Sequence, residues 1–216
     1  MPERFLDRLA VKPWGVILAG GRARRMGGDR KCLAPLGGRP LLTHVIERAA
    51  PQTAGLLLSI NGEPEDFRAY DLPMVTDQGD ENIGPLAGIL AACRWVKGHA
   101  PGVTHLAVFA ADTPFFPLDL VACLAAREGA AVRPVYAAAG GHRHGLLSLW
   151  PLALADELKQ AVTEQNLRRV GAALDLLGAD AVDFPASPVT DFFNINTPGD
   201  LAAAERILSD RRDVGV

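Results

Sequence analysis

Gly15-Val16-Ile17-Leu18-Ala19-Gly20-Gly21-Arg22-Ala23-Arg24-Arg25-Met26-Gly27-Gly28-Asp29-Arg30-Lys31 joins a short apolar run to a glycine-rich basic loop. The run from Trp14 to Ala19 reads as a buried strand. Gly20 and Gly21 follow directly, where the backbone can turn sharply and come close to a ligand. The loop then carries five cations, one acid and a second glycine pair. In open α/β sheets ligands lie beyond the carboxyl ends of the strands, which is where this loop belongs. Its backbone N–H groups together with Arg24, Arg25 and Lys31 make an anion trap suited to a polyphosphate. The loop lacks the Gly-Lys-Ser/Thr ending of a Walker motif and the Gly-x-Gly-x-x-Gly of a dinucleotide fingerprint.

Outward from this loop, strands and helices alternate. Pro40 is placed to open a helix over about Leu41 to Ala50, with Leu41, Leu42, Val45 and Ile46 at helical spacing, and Pro51 ends it. Leu56 to Asn61 is a second buried strand, Pro64 to Tyr70 a short helix, and Met74-Val75-Thr76 a strand that meets Asp77. Asn82-Ile83-Gly84-Pro85-Leu86-Ala87-Gly88 opens a helix of about Leu86 to Val96, whose start offers unpaired N–H groups and a positive dipole end. His105 to Ala111 is the strongest strand and runs into Asp112-Thr113-Pro114-Phe115. This alternation predicts a parallel sheet with helices on both faces.

The second half is less regular. Ala131 to Ala137 and Gly145 to Trp150 alternate as strands do, joined by a loop at Gly140-Gly141-His142-Arg143-His144. Helices follow over about Ala153 to Ala161 and Leu167 to Leu177, then a strand at Ala181 to Phe184. In Asn194-Ile195-Asn196-Thr197-Pro198, Thr197 is the expected N-cap of a helix to Leu208 that covers the sheet.

Composition bounds the function. Of 216 residues 49% are hydrophobic and 22% charged, enough for one large α/β domain with a real core. A net charge of -3 gives no general basic field for nucleic acid. The three cysteines (Cys32, Cys93, Cys123) form no CxxC and no even framework, which favours a reduced, cytoplasmic setting. No apolar run reaches the roughly 18 residues of a membrane helix. Met1 to Lys12 lacks an apolar signal core and reads as a leader to the first strand.

Single residues narrow the chemistry further. A carboxylate at the end of a buried strand is costly unless it is paired or binds a cation, so Asp112 is a candidate ligand for Mg²⁺. The other reading makes it the N-cap of the next helix. Asp77, at a strand end, either accepts hydrogen bonds from a bound ligand or is a plain loop carboxylate. His142 and His144 at i and i+2 are a weak metal pattern without a further ligand. No Ser-His-Asp or Cys-His arrangement is evident, and Cys32 reads as a packing residue.

Leu18-Ala19-Gly20-Gly21, then Arg25-Met26-Gly27-Gly28 and Lys31, resemble the signature loop of nucleotidyltransferases that act on nucleoside triphosphates. Within that group the chain is most similar to the molybdenum cofactor guanylyltransferase family, over roughly Val16 to Ile207. Gly-Pro-Leu-Ala-Gly at 84–88 and Asn-Ile-Asn-Thr-Pro at 194–198 extend the resemblance. It implies a three-layer αβα Rossmann-like fold with a mainly parallel mixed sheet, and a single domain over 1–216. About 14–112 would bind GTP and about 113–208 the pterin. The implied reaction joins GMP from GTP to molybdopterin and releases pyrophosphate, with Mg²⁺ as cofactor. Catalytic roles fall to Arg25, Lys31 and Asp112, and the metal to Asp112. GTP contacts fall to Leu18, Ala19, Gly20, Gly21, Lys31, Ser59, Asn61, Asp77, Gly88 and Asp112. Pterin contacts fall to His144, Arg168, Arg169, Asn194 and Asn196. Protein partners implied are the molybdenum insertion protein and the apo-molybdoenzymes or their chaperones, with no nucleic acid and no membrane.

Two departures accompany the likeness. The family usually has an acid just before the lysine, where this chain has Arg30, and His-Pro where it has His144-Gly145. Related readings are a cytidylyltransferase on the same cofactor, a sugar- or polyol-phosphate nucleotidyltransferase, and a non-catalytic carrier of the cofactor. The double glycine after Leu18-Ala19 favours guanine, because the resembling cytidylyl enzymes tend to carry Ala-Ala-Gly there.

Overall fold

Residues 11–20, 31–61, 63–76, 84–185 and 192–213 are described by a computed structural model. The first strand, β1 (Trp14–Leu18), is followed after the loop by a 3₁₀ turn at Lys31–Leu33 and a small hairpin of β2 (Pro35–Leu36) and β3 (Arg39–Pro40). Then come α1 (Leu41–Ala49), β4 (Leu56–Ile60), a 3₁₀ helix at Pro64–Tyr70 and β5 (Met74–Thr76). Helix α2 (Pro85–His99), β6 (His105–Ala110) and α3 (Leu120–Ala126) complete the first half. The second half holds β7 (Val135–Ala139), β8 (His142–Pro151), α4 (Ala155–Glu164), α5 (Val170–Leu176), β9 (Asp180–Phe184) and α6 (Pro198–Asp213).

Among the described residues seven strands form one sheet in the order β5-β4-β1-β6-β8-β7-β9. Pairings β5–β4, β4–β1, β1–β6 and β7–β9 are parallel, whereas β8 runs antiparallel between β6 and β7. The sheet is therefore mixed and mainly parallel. Its central strands are near-continuous apolar runs because both of their faces are covered. Val16, Leu57 and Val108 point into a core with α2, α4 and α5, while Ile17, Leu58 and Phe109 point into a core with α1 and α3. Trp150, Phe109, Phe116 and Phe67 are among the largest side chains withdrawn from water, each burial contributing about 1.5–3 kcal/mol. No helix among the described residues is long and apolar enough to cross a membrane.

Several expected boundaries and placements change. The run expected as a strand from Ala131 begins only at Val135 and continues to Ala139. His142, Arg143 and His144 belong to β8, so the turn is Gly140-Gly141, with φ of 56° and 77°. Helix α5 starts three residues later than the periodicity suggests, because Asn166 takes a φ of 55° and the chain is still turning there. Helix α6 does not cover the sheet. Its Ala204 and Ile207 pack with Leu36, Leu41, Phe115 and Ile195 in a separate small core over the β2–β3 hairpin, and Glu205 accepts from the Gly37 N–H at 2.7 Å. That small core gathers three distant pieces of chain at one end of the sheet.

Candidate active site

The carboxyl ends of β1, β4 and β6 lie side by side, with Ala19 N–H donating to Ser59 O and Ala111 N–H to Leu18 O. Leu18, Ala19, Gly20, Ser59, Asn61 and Asp112 are thereby brought to one edge. A Cβ at Gly20 would meet the Asn61 side-chain amide at 2.8 Å and displace it. The same holds where α2 begins, since a Cβ on Gly88 would lie 2.4 Å from Ser59 Oγ and 2.9 Å from Leu18. Gly88 thus lets the start of α2 sit against the strand ends. Arg25, Gly21 and Asp77 lie outside the described residues.

Asp112 does not cap the next helix: α3 starts at Leu120, with Asp119 at its N-cap position. The Asp112 carboxylate instead receives a hydrogen bond from Lys31 Nζ at 2.5 Å on Oδ2 and one from Thr113 Oγ1 at 3.3 Å on Oδ1. Lys31 Nζ also donates to Asn196 Oδ1 at 2.5 Å and approaches Asn194 Oδ1 at 3.5 Å. The Lys31 and Asp112 side chains are only 11% and 25% exposed, so the pair is shielded yet still open to solvent at the carboxylate. Residues assigned from sequence to opposite substrates therefore meet in one cluster. The backbone explains why. Ile195 is fully buried and its N–H donates to Asp112 O at 2.9 Å, which leaves the flanking Asn194 and Asn196 to reach Lys31. Cys32, next to Lys31, is buried against Ala19 O and serves packing.

A cleft of about 160 Å³ adjoins the cluster, lined by Thr113, Arg143, His144, Phe192, Asn194 and residues 145–147. A register jump shapes it. Tyr136 pairs with Ser148, but Ala137 already pairs with His144, so residues 145–147 bulge from the ladder into the cleft. His144 stacks on Phe192 with centroids 4.7 Å apart, and Phe184 meets the Phe192 ring edge-on at 5.2 Å. Burial, and then the neighbouring His142, lower the His144 pKa below 6.5, so the ring is neutral at physiological pH. Arg143 lies over Tyr136 at 4.7 Å and is held by Asp175 at 2.7 Å.

Arg168 and Arg169 are not among the residues lining this cleft. Arg168 donates to the Val162 and Leu167 carbonyls, bracing the turn before α5, and Arg169 occupies the N-cap position of that helix. Conversely, Phe192, Thr113 and Arg143 line the cleft although the sequence reading gave none of them a role. Their signal lies only in tertiary position.

The donor set at Asp112 fits a hard divalent cation. Among the described residues no group of three His, Cys, Asp or Glu could enclose a metal, and one carboxylate at an open mouth suits an ion whose other ligands are phosphate oxygens and water. The Lys31 ammonium already sits where positive charge is favoured.

The sequence matches the MobA-like NTP transferase domain over residues 15–177. It is 44% identical over 200 residues to the molybdenum cofactor guanylyltransferase of Bradyrhizobium sp. (strain ORS 278), covering 90% of this chain and 92% of that one. Among solved structures it is similar to the molybdopterin-guanine dinucleotide biosynthesis protein A of Archaeoglobus fulgidus, with a TM-score of 0.71, 27% identity and coverage of 91% and 99%. The fold alone is shared with a Mycobacterium tuberculosis H37Rv protein solved in complex with manganese, at a TM-score of 0.65 and 16% identity, covering 90% of this chain and 98% of that one.

Proposed function

The chain belongs to the MobA-like NTP transferase family, and from that premise we propose that it transfers GMP from GTP to molybdopterin, releasing pyrophosphate. The observation that carries this reading is the cluster of Lys31, Asp112, Asn194 and Asn196 between the strand-end glycine edge and the aromatic cleft. GTP takes the side built from about 14–112, and the pterin the side built from about 113–208. Leu18, Ala19, Gly20, Asn61 and Gly88, with Gly21 and Asp77, form the guanosine side. The flat His144–Phe192 wall and the Asn194 amide suit a planar heterocycle with a hydrogen-bonding edge. Arg168, which also braces the turn before α5, and Arg169 stay proposed contacts on the pterin side.

In the reaction a phosphate oxygen of molybdopterin forms a bond to the α-phosphorus of GTP, and the bond from that phosphorus to the bridging oxygen breaks. The attacking oxygen is already ionised near neutral pH, so no residue has to remove a proton. The protein instead offsets repulsion between two anions and stabilises charge moving onto pyrophosphate. Lys31 and Arg25 supply that positive charge. Asp112 would hold Mg²⁺, which when bound adds a Lewis acid and a template for the phosphates. Asn194 and Asn196 hold the Lys31 ammonium by their carbonyl oxygens. The cysteine pattern suits a cytoplasmic site of action, and the molybdenum insertion protein and apo-molybdoenzymes or their chaperones are the proposed protein partners.

The test is pyrophosphate release with molybdopterin and Mg²⁺, using GTP and CTP in parallel. GTP is expected to support turnover and CTP to support far less. Equal rates or equal affinities would remove the guanine assignment, and no pyrophosphate with either would leave a carrier.

A further inference from the structure

We infer that Asp200, in the first turn of α6, is a positioning residue for Lys31 that acts through the backbone of Asn196. The inference rests on the proposed role of Lys31 at the triphosphate. Thr197 Oγ1 accepts from the Asp200 N–H at 3.1 Å, and Asp200 Oδ2 accepts from the Thr197 N–H at 2.8 Å. These two bonds are a reciprocal capping box, in which residues at the N-cap and N3 satisfy each other's N–H groups. An ordinary box ends there. Here the same Asp200 oxygen also takes the Asn196 N–H, at 2.9 Å. Asn196 is the residue whose side-chain oxygen holds Lys31 Nζ at 2.5 Å.

Asn196 is consequently clamped from both sides. Before it, Ile195 is buried and bonded to the Asp112 carbonyl. After it, Asp200 holds its N–H, and α6 carries Asp200 on a helix seated by Ala204 and Ile207 in the small core. The start of the helix thus fixes an oxygen that fixes the ammonium. The Asn196 N–H lowers the Asp200 pKa, as do the Thr197 groups and the Lys31 charge, so the carboxylate stays ionised near neutral pH. Asp200 touches neither substrate in this scheme. Misplacing a reacting or charge-bearing group by a fraction of an ångström to an ångström is enough to slow turnover severely.

The experiment compares Asp200→Ala, Asp200→Asn, Asp200→Glu and Thr197→Ala with wild type. Three quantities are read: melting temperature, steady-state pyrophosphate release, and reductive methylation of Lys31 by formaldehyde with cyanoborohydride as hydride donor in the nucleotide-free protein, followed by peptide mass spectrometry. Asp200→Ala and Thr197→Ala each break the capping box, so both lower the melting temperature. Only Asp200→Ala releases Asn196. It is expected to raise Lys31 methylation about threefold or more and to lower kcat about tenfold, with KM for molybdopterin within about twofold, the scale of a displaced charge contact. Thr197→Ala is expected to keep both methylation and kcat within about twofold of wild type. Asp200→Glu restores the box and the rate, since glutamate is the usual N3 partner. Asp200→Asn keeps an acceptor oxygen but no charge, and is expected to stay close to wild type in methylation.

Equal changes in Thr197→Ala and Asp200→Ala would reduce Asp200 to a helix cap and overturn the inference. Unchanged Lys31 methylation in Asp200→Ala would do the same, and so would an Asp200→Asn effect as large as that of Asp200→Ala, which would assign the effect to charge. Should Asp200→Ala not fold, Asp200→Ser, whose shorter side chain does not reach the Asn196 N–H, takes its place against Thr197→Ala with the same expected rise in methylation and the same overturning result. A wild type that releases no pyrophosphate from GTP would remove the proposed transfer, while the methylation series would still decide whether Asp200 positions Lys31.

Discussion

Lys31 and Asp112 neutralise each other, so in the proposed reaction each must give up the other, one for phosphate and the other for metal. Lys31→Ala is therefore expected to act in two opposite directions. Triphosphate binding weakens by about 2–4 kcal/mol, the scale of a shielded charge contact. Binding of Mn²⁺ to the nucleotide-free protein tightens, because no ammonium competes for Oδ2. Titration calorimetry of each ligand alone reads both effects, and unchanged Mn²⁺ affinity would show that the pair imposes no competition. Asp112→Asn should lower turnover by a factor on the order of 10² or more. For a carboxylate left unpaired at the end of a buried strand, this change would spare or even raise stability. The observed pair reverses that expectation. With Lys31 only 11% exposed, losing its counter-charge should cost roughly 1–2 kcal/mol, less than for a fully buried pair because water still reaches the site. Melting curves and rates across a Mg²⁺ titration check this, and an active variant with unaltered Mg²⁺ dependence would remove Asp112 from metal binding.

Elements matter here mainly through how closely they approach. The start of α2 touches the ends of β1 and β4 only because Gly88 has no side chain, with Ser59 Oγ where a Cβ would fall. Gly88→Ala is expected to destabilise the protein by about 1–3 kcal/mol through overpacking, even though alanine favours helix. Denaturant unfolding measures it, and a stabilised variant would mean that the helix simply moves aside. Strands β1, β4 and β6 and helix α1 were legible within a residue or two, because their apolar periodicity is long and flanked by glycine or proline. The β7–β8 hairpin was not, since its bulge at residues 145–147 breaks the alternation by which strands are recognised. The N-cap at Thr197 was legible as a Thr-Pro start. Asp200 has no role in the sequence pattern as read, and its reach to the Asn196 N–H exists only in the folded chain.

Across the whole molecule two large cores sandwich the sheet, and the third, small one ties residues 34–41, the Asp112 loop and the C-terminal segment together. Two histidines, His105 buried and His144 half-buried, make this assembly sensitive to acid. His105 Nε2–H donates to the Ala130 carbonyl while its Nδ1 accepts from Thr104 Oγ1, and burial lowers its pKa, as it does for His144. The sign follows from linkage. In the folded protein both rings protonate below 6.5, so as pH falls under that value the unfolded chain binds more protons and stability is lost. Above it the contribution is complete and flat. Melting temperatures between about pH 7 and pH 5 should fall, and His105→Gln should flatten the slope. An identical slope in that variant would assign the acid sensitivity elsewhere.

The sequence by itself determined the strand–loop start, the alternation that makes a mainly parallel sheet, and the residue types a triphosphate and its cation need, because apolar period, glycine pairs and clustered charge are local properties. Only the tertiary structure decided that Lys31, Asp112, Asn194 and Asn196 are a single cluster. It also decided that α6 leaves the sheet to build the site's corner, and that the Arg168 guanidinium braces a turn. The cluster at Lys31 depends on hydrogen bonds between residues 81 to 165 positions apart. The hydrogen-bond partners across such distances are chosen by packing of the whole chain, which no local pattern encodes.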